Sequence, residues 1–262
     1  MKKHLFLYPF FFLLTFPFCN AQKNVSTFEI AAPQLQATKK IWLYLPENYT
    51  TSTKKYPVLY LHDAQNLFDA NTSYAGEWRI DETLDSLKAE IIVVGIVHGN
   101  EKRIDELTPF KNEAYGGGGA GAYLDFIVTT LKPHIDSTFR SKTGKYHTAI
   151  GGSSLGGLVS YYAALHYPKV FGKAMVFSPS FWFSPEVYEL TEKTRSIKTK
   201  FYFMCGDNES ETMVNEMDKM VDLVNEKRCS CEHLTKKVVV AGGKHNEKLW
   251  ASAFVKAYLW LF

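Results

Sequence analysis

The sequence predicts an α/β fold, with a mostly parallel central sheet covered by helices on both faces. Three observations carry this. Strand-like apolar runs alternate with amphipathic helical stretches through the whole length. Several runs, such as 57–62, are apolar without alternation, the mark of a strand buried on both faces. The 262 residues show no internal repeat and no linker, which suits one large domain.

In order along the chain, Lys2 and Lys3 precede an apolar run over 5–18, and Cys19-Asn20-Ala21 follows. That is the layout of a secretory signal peptide cut after Ala21. The run is too short for a comfortable span and holds Pro9 and Pro17. Lipidation at Cys19 is the rival reading, but Phe16-Pro17-Phe18 is bulky where a lipoprotein signal has small residues. The expected mature domain is therefore 22–262, exported to the periplasm or beyond, with no stable membrane span. Cleavage leaves 28 basic against 27 acidic residues. That near-neutral balance, without a basic stripe, argues against a nucleic-acid surface. Cys205, Cys229 and Cys231 remain, an odd count that argues against a disulfide framework.

Residues 27–30 and 40–45 read as an opening antiparallel hairpin, 46–55 as a polar loop and 57–62 as a buried strand. A helix over 78–88 puts Ile80, Leu84 and Leu87 on one face. A strand over 91–97 and one long helix over 122–139 follow. Then come a strand over 146–150, a helix over 155–167, and strands over 173–177 and 200–205. A helix over 212–227, a last strand over 236–240 and a closing helix over 246–260 complete the chain. The glycine run 116–119 follows no strand and precedes no Gly-Lys-Ser/Thr, so it reads as a flexible loop and not a phosphate cradle. The eight histidines contain no His-Glu-x-x-His and no His-x-His pair, so metal hydrolysis has little support, and the serine chemistry read below calls for no cofactor.

Gly151-Gly152-Ser153-Ser154-Leu155-Gly156-Gly157 lies between an expected strand and an expected helix. Gly-x-Ser-x-Gly in that context places Ser154 on a strained strand-to-helix turn, its hydroxyl clear of the sheet. The plainer alternative is a glycine-rich turn that only lets a helix pack close to a strand. A nucleophilic serine needs a base, and His245 follows the final strand and the turn 241–244, just before the closing helix. A helix-capping surface histidine is the alternative there. The base needs a carboxylate from the loop after the preceding strand, where Gly206-Asp207-Asn208-Glu209 offers two. Either gives the order Ser, acid, His of an α/β-hydrolase, and spacing does not choose between Asp207 and Glu209. The oxyanion would be held by the backbone N–H of Leu155 and that of Ala64, in the turn His62-Asp63-Ala64-Gln65-Asn66. Gln65 is the next candidate contact, and Asp63 is expected to brace the turn. Ser178-Pro179-Ser180-Phe181-Trp182-Phe183 follows a strand at the same edge and either walls a pocket, with Trp182 as the residue to test, or is core beneath a loop.

Taken together, 62–68, 77–82, 103–109, the Ser154 elbow and 177–182 resemble the putative-esterase family of α/β hydrolases. It includes enterochelin, feruloyl and acetyl-xylan esterases, S-formylglutathione hydrolase and mycolyltransferases. The resemblance runs from about Trp42 to Phe262 and implies Ser154 as nucleophile and His245 as base. In feruloyl esterases of this family the stretch after the seventh strand reads Cys-Gly-x-Asn-Asp, with the last residue as acid. Laid on 205–209, that implies Glu209. Relatives often carry glycine where Ala64 stands, the acid here would be Glu and not Asp, and some siderophore esterases of the group use a Ser-His dyad.

The expectation is an exported serine carboxylic-ester hydrolase acting through an acyl-enzyme on a small-molecule or glycan-linked ester. An acyltransferase on the same fold and a non-catalytic carbohydrate- or siderophore-binding module are the alternatives.

Overall fold

The computed structural model describes residues 24–228 and 233–262. The expected leader, with Cys19, and the pair Cys229 and Cys231 lie outside them. Eight strands form one sheet: β1 (Val25–Ala32), β2 (Ala37–Tyr44), β3 (Val58–His62), β4 (Ile92–Ile96), β5 (Thr148–Ser153), β6 (Lys173–Phe177), β7 (Lys200–Gly206) and β8 (Thr235–Val240). Their order is β1-β2-β4-β3-β5-β6-β7-β8. β1 and β2 form the antiparallel hairpin and β2 joins β4 antiparallel, while every pair from β4 to β8 is parallel.

The helices are α1 (Ile80–Ser86), α2 (Arg103–Leu107), α3 (Ala120–Phe126), α4 (Lys132–Thr138), α5 (Leu155–His166), α6 (Glu186–Lys193), α7 (Met213–Glu226) and α8 (Glu247–Leu261). The central strands are apolar throughout because successive side chains enter opposite cores. In β3, Val58 and Tyr60 join the core that holds α3, α5 and α7, whereas Leu59 and Leu61 join the one packed under α1 and α8. α7 shows how a helix meets such a sheet, turning Met213, Met217, Met220, Val221 and Val224 inward at helical spacing.

The helices α2 and α6 were not expected, and three expected elements differ in their bounds or course. The helix expected over 122–139 runs as α3, a π-helical turn (Ile127–Leu131) and α4. Pro133 has no N–H to give to the carbonyl one turn back, and the Thr129 hydroxyl bonds Asp125 O instead of leaving the ladder undisturbed. The helix expected from residue 78 begins at Ile80, because Arg79 has φ 55°. The Trp78 N–H bonds Asn66 O across the loop. The elbow strand starts at Thr148 and not at Tyr146, which is exposed in the short 3-10 turn before it. Cys205, near the end of β7, is a buried free thiol pushed up to about 12 by burial, with Glu209 adding to the effect. No helix among the described residues is long and apolar enough to cross a membrane.

Candidate active site

Ser154 stands where β5 ends and α5 begins, with φ 57° and ψ −121°. L-residues rarely adopt that backbone, which costs about 1–3 kcal/mol. The glycines let the bend close. A Cβ on Gly152 would stand 3.1 Å from Gly156 backbone atoms, and one on Gly157 would stand 2.6 Å from Phe177 O. Two bonds to the loop after β6 hold the strained residue: Ser154 N–H donates to Phe177 O (3.0 Å), and Ser180 N–H donates to Ser154 O (3.2 Å). The two hydroxyls, Ser154 Oγ and Ser180 Oγ, are 3.2 Å apart. Leu155 opens α5, so its N–H lacks a carbonyl one turn upstream and is free to serve an anion.

At the far side of the same sheet edge, the loops after β7 and β8 are zipped together. Asp207 N–H donates to Val240 O and Asn208 N–H to Gly243 O. Asp207 Oδ1 accepts from Gly242 N–H at 2.6 Å. Gly206 is packed so closely against Gly243 that a Cβ would come within 2.2 Å of its carbonyl oxygen. This zipper delivers Glu209 to His245, with Oε2 2.7 Å from Nδ1. The Glu209 side chain is 1% exposed and that of His245 36%. Glu209 Oε1 accepts from Gly206 N–H at 2.5 Å and from the Ser178 hydroxyl at 2.7 Å. Of the two carboxylates that spacing left open, Glu209 thus meets the imidazole and Asp207 meets the turn that carries it.

Among the described residues no hydrogen bond joins Ser154 Oγ to His245. Three loops at the carboxyl edge link them: Ser180 touches Ser154, Ser178 touches Glu209, and Glu209 touches His245. Catalytic hydrogen bonds of unliganded sites are often open and tighten around substrate.

The turn after β3 abuts the elbow, since a Cβ on Gly156 would lie 3.4 Å from His62 Cβ and 3.5 Å from Asp63 Oδ2. Asp63 adopts φ 56° and ψ 47°, and buried Ala64 opens a single 3-10 turn, Ala64–Asn66. Arg103 clamps Asp63 with two parallel bonds, Nε to Oδ1 and an Nη to Oδ2, both 2.8 Å. Burial alone would raise the Asp63 carboxyl, but the Arg103 hydrogen bonds and charge hold it below the usual carboxylate range. Beside it, burial pushes His62 down to about 4, and its Nδ1 lies 2.8 Å from Tyr123 Oη. His62 therefore stays neutral and belongs to the support of the turn. Gln65 Oε1 is buried with no hydrogen-bond partner among the described residues.

Trp182 is 50% exposed, while Phe181 and Phe183 on either side are buried. The core reading thus fits the two phenylalanines, and Trp182 faces outward, its ring edge-on to that of Tyr115 at 5.8 Å. Near the glycine loop 116–119, Asn112 Nδ2 donates to Phe183 O. Among the described residues, carboxylates converge closely enough for a cation at Glu77, Asp81 and Glu82, with one oxygen of each within 4.8 Å of the others. That cluster includes none of the residues gathered around Ser154.

Sequence reasoning gave no role to Ser178, Ser180, Trp250 or Arg103. Trp250 sits on α8 at the first turn, its ring edge-on to His245 at 5.0 Å and its Nε1 2.8 Å from Ser178 Oγ. The recurrence of serines around Pro179 was the available signal, but nothing in a single sequence says which way a hydroxyl turns.

An uncharacterized protein of Bacillus subtilis (strain 168), YbbA, is 26% identical over 238 residues, covering 86% of this chain and 92% of its own. The siderophore triacetylfusarinine C esterase of Aspergillus fumigatus is 30% identical over 145 residues, covering 53% of this chain and 49% of that enzyme. Among solved structures, a ferulic acid esterase superposes with a TM-score of 0.69 at 18% identity, over 90% of this chain and 97% of that one. At that identity the likeness shows a shared fold. The family model described as "Putative esterase" matches residues 32–261, nearly the whole described chain, and the protein belongs to that family.

Proposed function

We propose that the protein is a serine carboxylic-ester hydrolase, with Ser154 as nucleophile, His245 as general base and acid, and Glu209 as the carboxylate that orients His245. The single observation that carries this is the 2.7 Å contact of buried Glu209 with His245 Nδ1, at the same sheet edge as a serine strained into an elbow. Glu209 fixes the tautomer that leaves Nε2 unprotonated and able to take the Ser154 proton. Attack on the ester carbonyl places negative charge on its oxygen, which the N–H groups of Leu155 and Ala64 stabilise. His245 then gives the proton to the departing alcohol, and water attacks the acyl-enzyme by the reverse route. No step calls on a cofactor. Gln65 and Trp182 are the proposed substrate contacts, the second through an exposed ring.

Membership of the esterase family supports the reaction class, and the leader-like residues 1–21 support export of domain 22–262. The test is hydrolysis of acetyl, feruloyl and catecholate esters by the mature chain, with added acceptor alcohols. Free acid as the product, abolished by Ser154→Ala, is expected. Transfer to the acceptor would establish the acyltransferase alternative, and ester binding without turnover would establish a binding module.

A further inference from the structure

Ser178 has no part in the proposed chemistry, yet its hydroxyl is held on two sides. It is fully buried, and its backbone is held at φ 41°. Its N–H donates to Met204 O at 2.6 Å, which ties it to the end of β7. Its Oγ lies between two groups of fixed polarity. An indole N–H only donates, so Trp250 Nε1 gives its hydrogen to Ser178 Oγ. An ionised carboxylate only accepts, so the Ser178 hydroxyl must turn its hydrogen to Glu209 Oε1. The direction of the chain Trp250 → Ser178 → Glu209 follows with no freedom left.

Trp250 also meets the His245 ring at right angles and is itself buried, with the Trp78 ring 6.1 Å away. The residues form a closed ring: Trp250 touches the base by its face or edge and touches the acid through Ser178, and the acid touches the base. We infer that Ser178 and Trp250 are positioning residues of the hydrolytic site, a donor relay that locks Glu209 so that Oε2 stays on His245 Nδ1. This rests on the proposed Ser154–His245–Glu209 reading. The chemistry explains the choice of partners. Glu209 is buried with neutral donors on Oε1, so the carboxylate is held in place while its charge remains unanswered until imidazolium forms. The χ angles of a glutamate, one methylene more than an aspartate has, would otherwise let it swing away from the ring.

The test uses Ser178→Ala, Trp250→Phe and the double variant of the mature chain. Phe keeps an aromatic ring beside His245 and removes the N–H. Ser178→Ala, which removes a hydrogen bond to a charged group, is expected to lower kcat about tenfold or more, and Trp250→Phe, which removes one to a neutral hydroxyl, about fivefold, both with KM within about twofold. Because Trp250 acts through Ser178, the double variant should be no slower than Ser178→Ala alone. The proton between His245 Nδ1 and Glu209 should give a low-field 1H NMR signal that shifts or broadens in both single variants. Unchanged kcat with an unmoved signal, or effects that multiply in the double variant, would overturn the relay. If Ser178→Ala fails to fold, Trp250→Phe alone carries both readouts. The NMR signal needs no turnover, so an inactive wild-type chain would overturn the hydrolase reading while the relay is still judged on the proton.

Discussion

Two buried carboxylates flank the elbow, and they are held in opposite ways. Asp63, in the turn after β3, faces a guanidinium that grips both oxygens. Glu209, in the loop after β7, faces a backbone N–H, a hydroxyl and an imidazole. A permanently charged partner satisfies a carboxylate in advance and suits a residue whose task is to keep a turn in left-handed geometry. Neutral donors fix orientation but leave the charge to be answered later, which suits the proposed role of stabilising imidazolium as it forms. A carboxylate is thus a brace on one side and, in the proposed mechanism, a working group on the other, and the nature of the partner decides which.

The largest expected effect breaks the comparison on the Glu209 side. Glu209→Gln keeps the shape but removes the charge and lets the amide favour the wrong imidazole tautomer, so kcat should fall by about 10³–10⁴ with the fold intact. A Gln variant of near wild-type rate would reduce the acid to scaffolding and leave a Ser-His dyad.

On the Asp63 side the effect should fall on stability. Arg103→Met strands a buried carboxylate, and denaturant unfolding should show a loss of about 3–5 kcal/mol. Because Asp63 titrates below its ordinary 3.8, the pair contributes stability that is present above that pH. It is lost as pH falls from there through the folded value. Arg103→Met should therefore flatten the acid end of the stability profile, and an unaltered profile would deny Arg103 its part.

A third buried carboxylate sharpens the contrast, because its oxygen Oδ1 has no partner among the described residues. Burial, then the charge of Glu82, pushes Asp81 up to about 7. Its folded form holds the proton more tightly than the unfolded chain, so wild-type stability declines as pH rises from about 4 to about 7 and then levels. Asp81→Asn should remove that decline. Thermal melts at pH 4 and pH 8 check it, the variant gaining relative to wild type at the higher pH.

The smallest effect belongs to Asp207, whose exposed bond to Gly242 N–H steadies the turn before His245. Asp207→Ala should cost about 1 kcal/mol of stability and only a few-fold in kcat. A loss as large as that of Glu209→Gln would reverse the roles of the two acids.

The architecture was legible because alternation of apolar strands with amphipathic helices is written in local periodicity. The elbow was legible because its glycines are demanded by close backbone approach, as at Gly152 and Gly157. Helix starts were less so: Arg79 at φ 55° and the long-range bond of Trp78 to Asn66 end the helical pattern for reasons outside the local sequence. Spacing could not separate Asp207 from Glu209, since both lie on one loop and only the direction of that loop against β8 sends one to the imidazole and the other to Gly242 N–H. Ser178 and Trp250 lie 72 residues apart, and their meeting depends on how α8 returns across β6 and β7. Periodicity carries no trace of it.

The central claim is that the Ser154 hydroxyl is made nucleophilic at this site. Intact-mass analysis after incubation with a fluorophosphonate tests it most directly. One adduct per chain is expected, mapped by peptide digestion to Ser154, absent in Ser154→Ala and formed far more slowly in His245→Ala. An unmodified chain, or hydrolysis that persists in Ser154→Ala with the adduct on another residue, would contradict it.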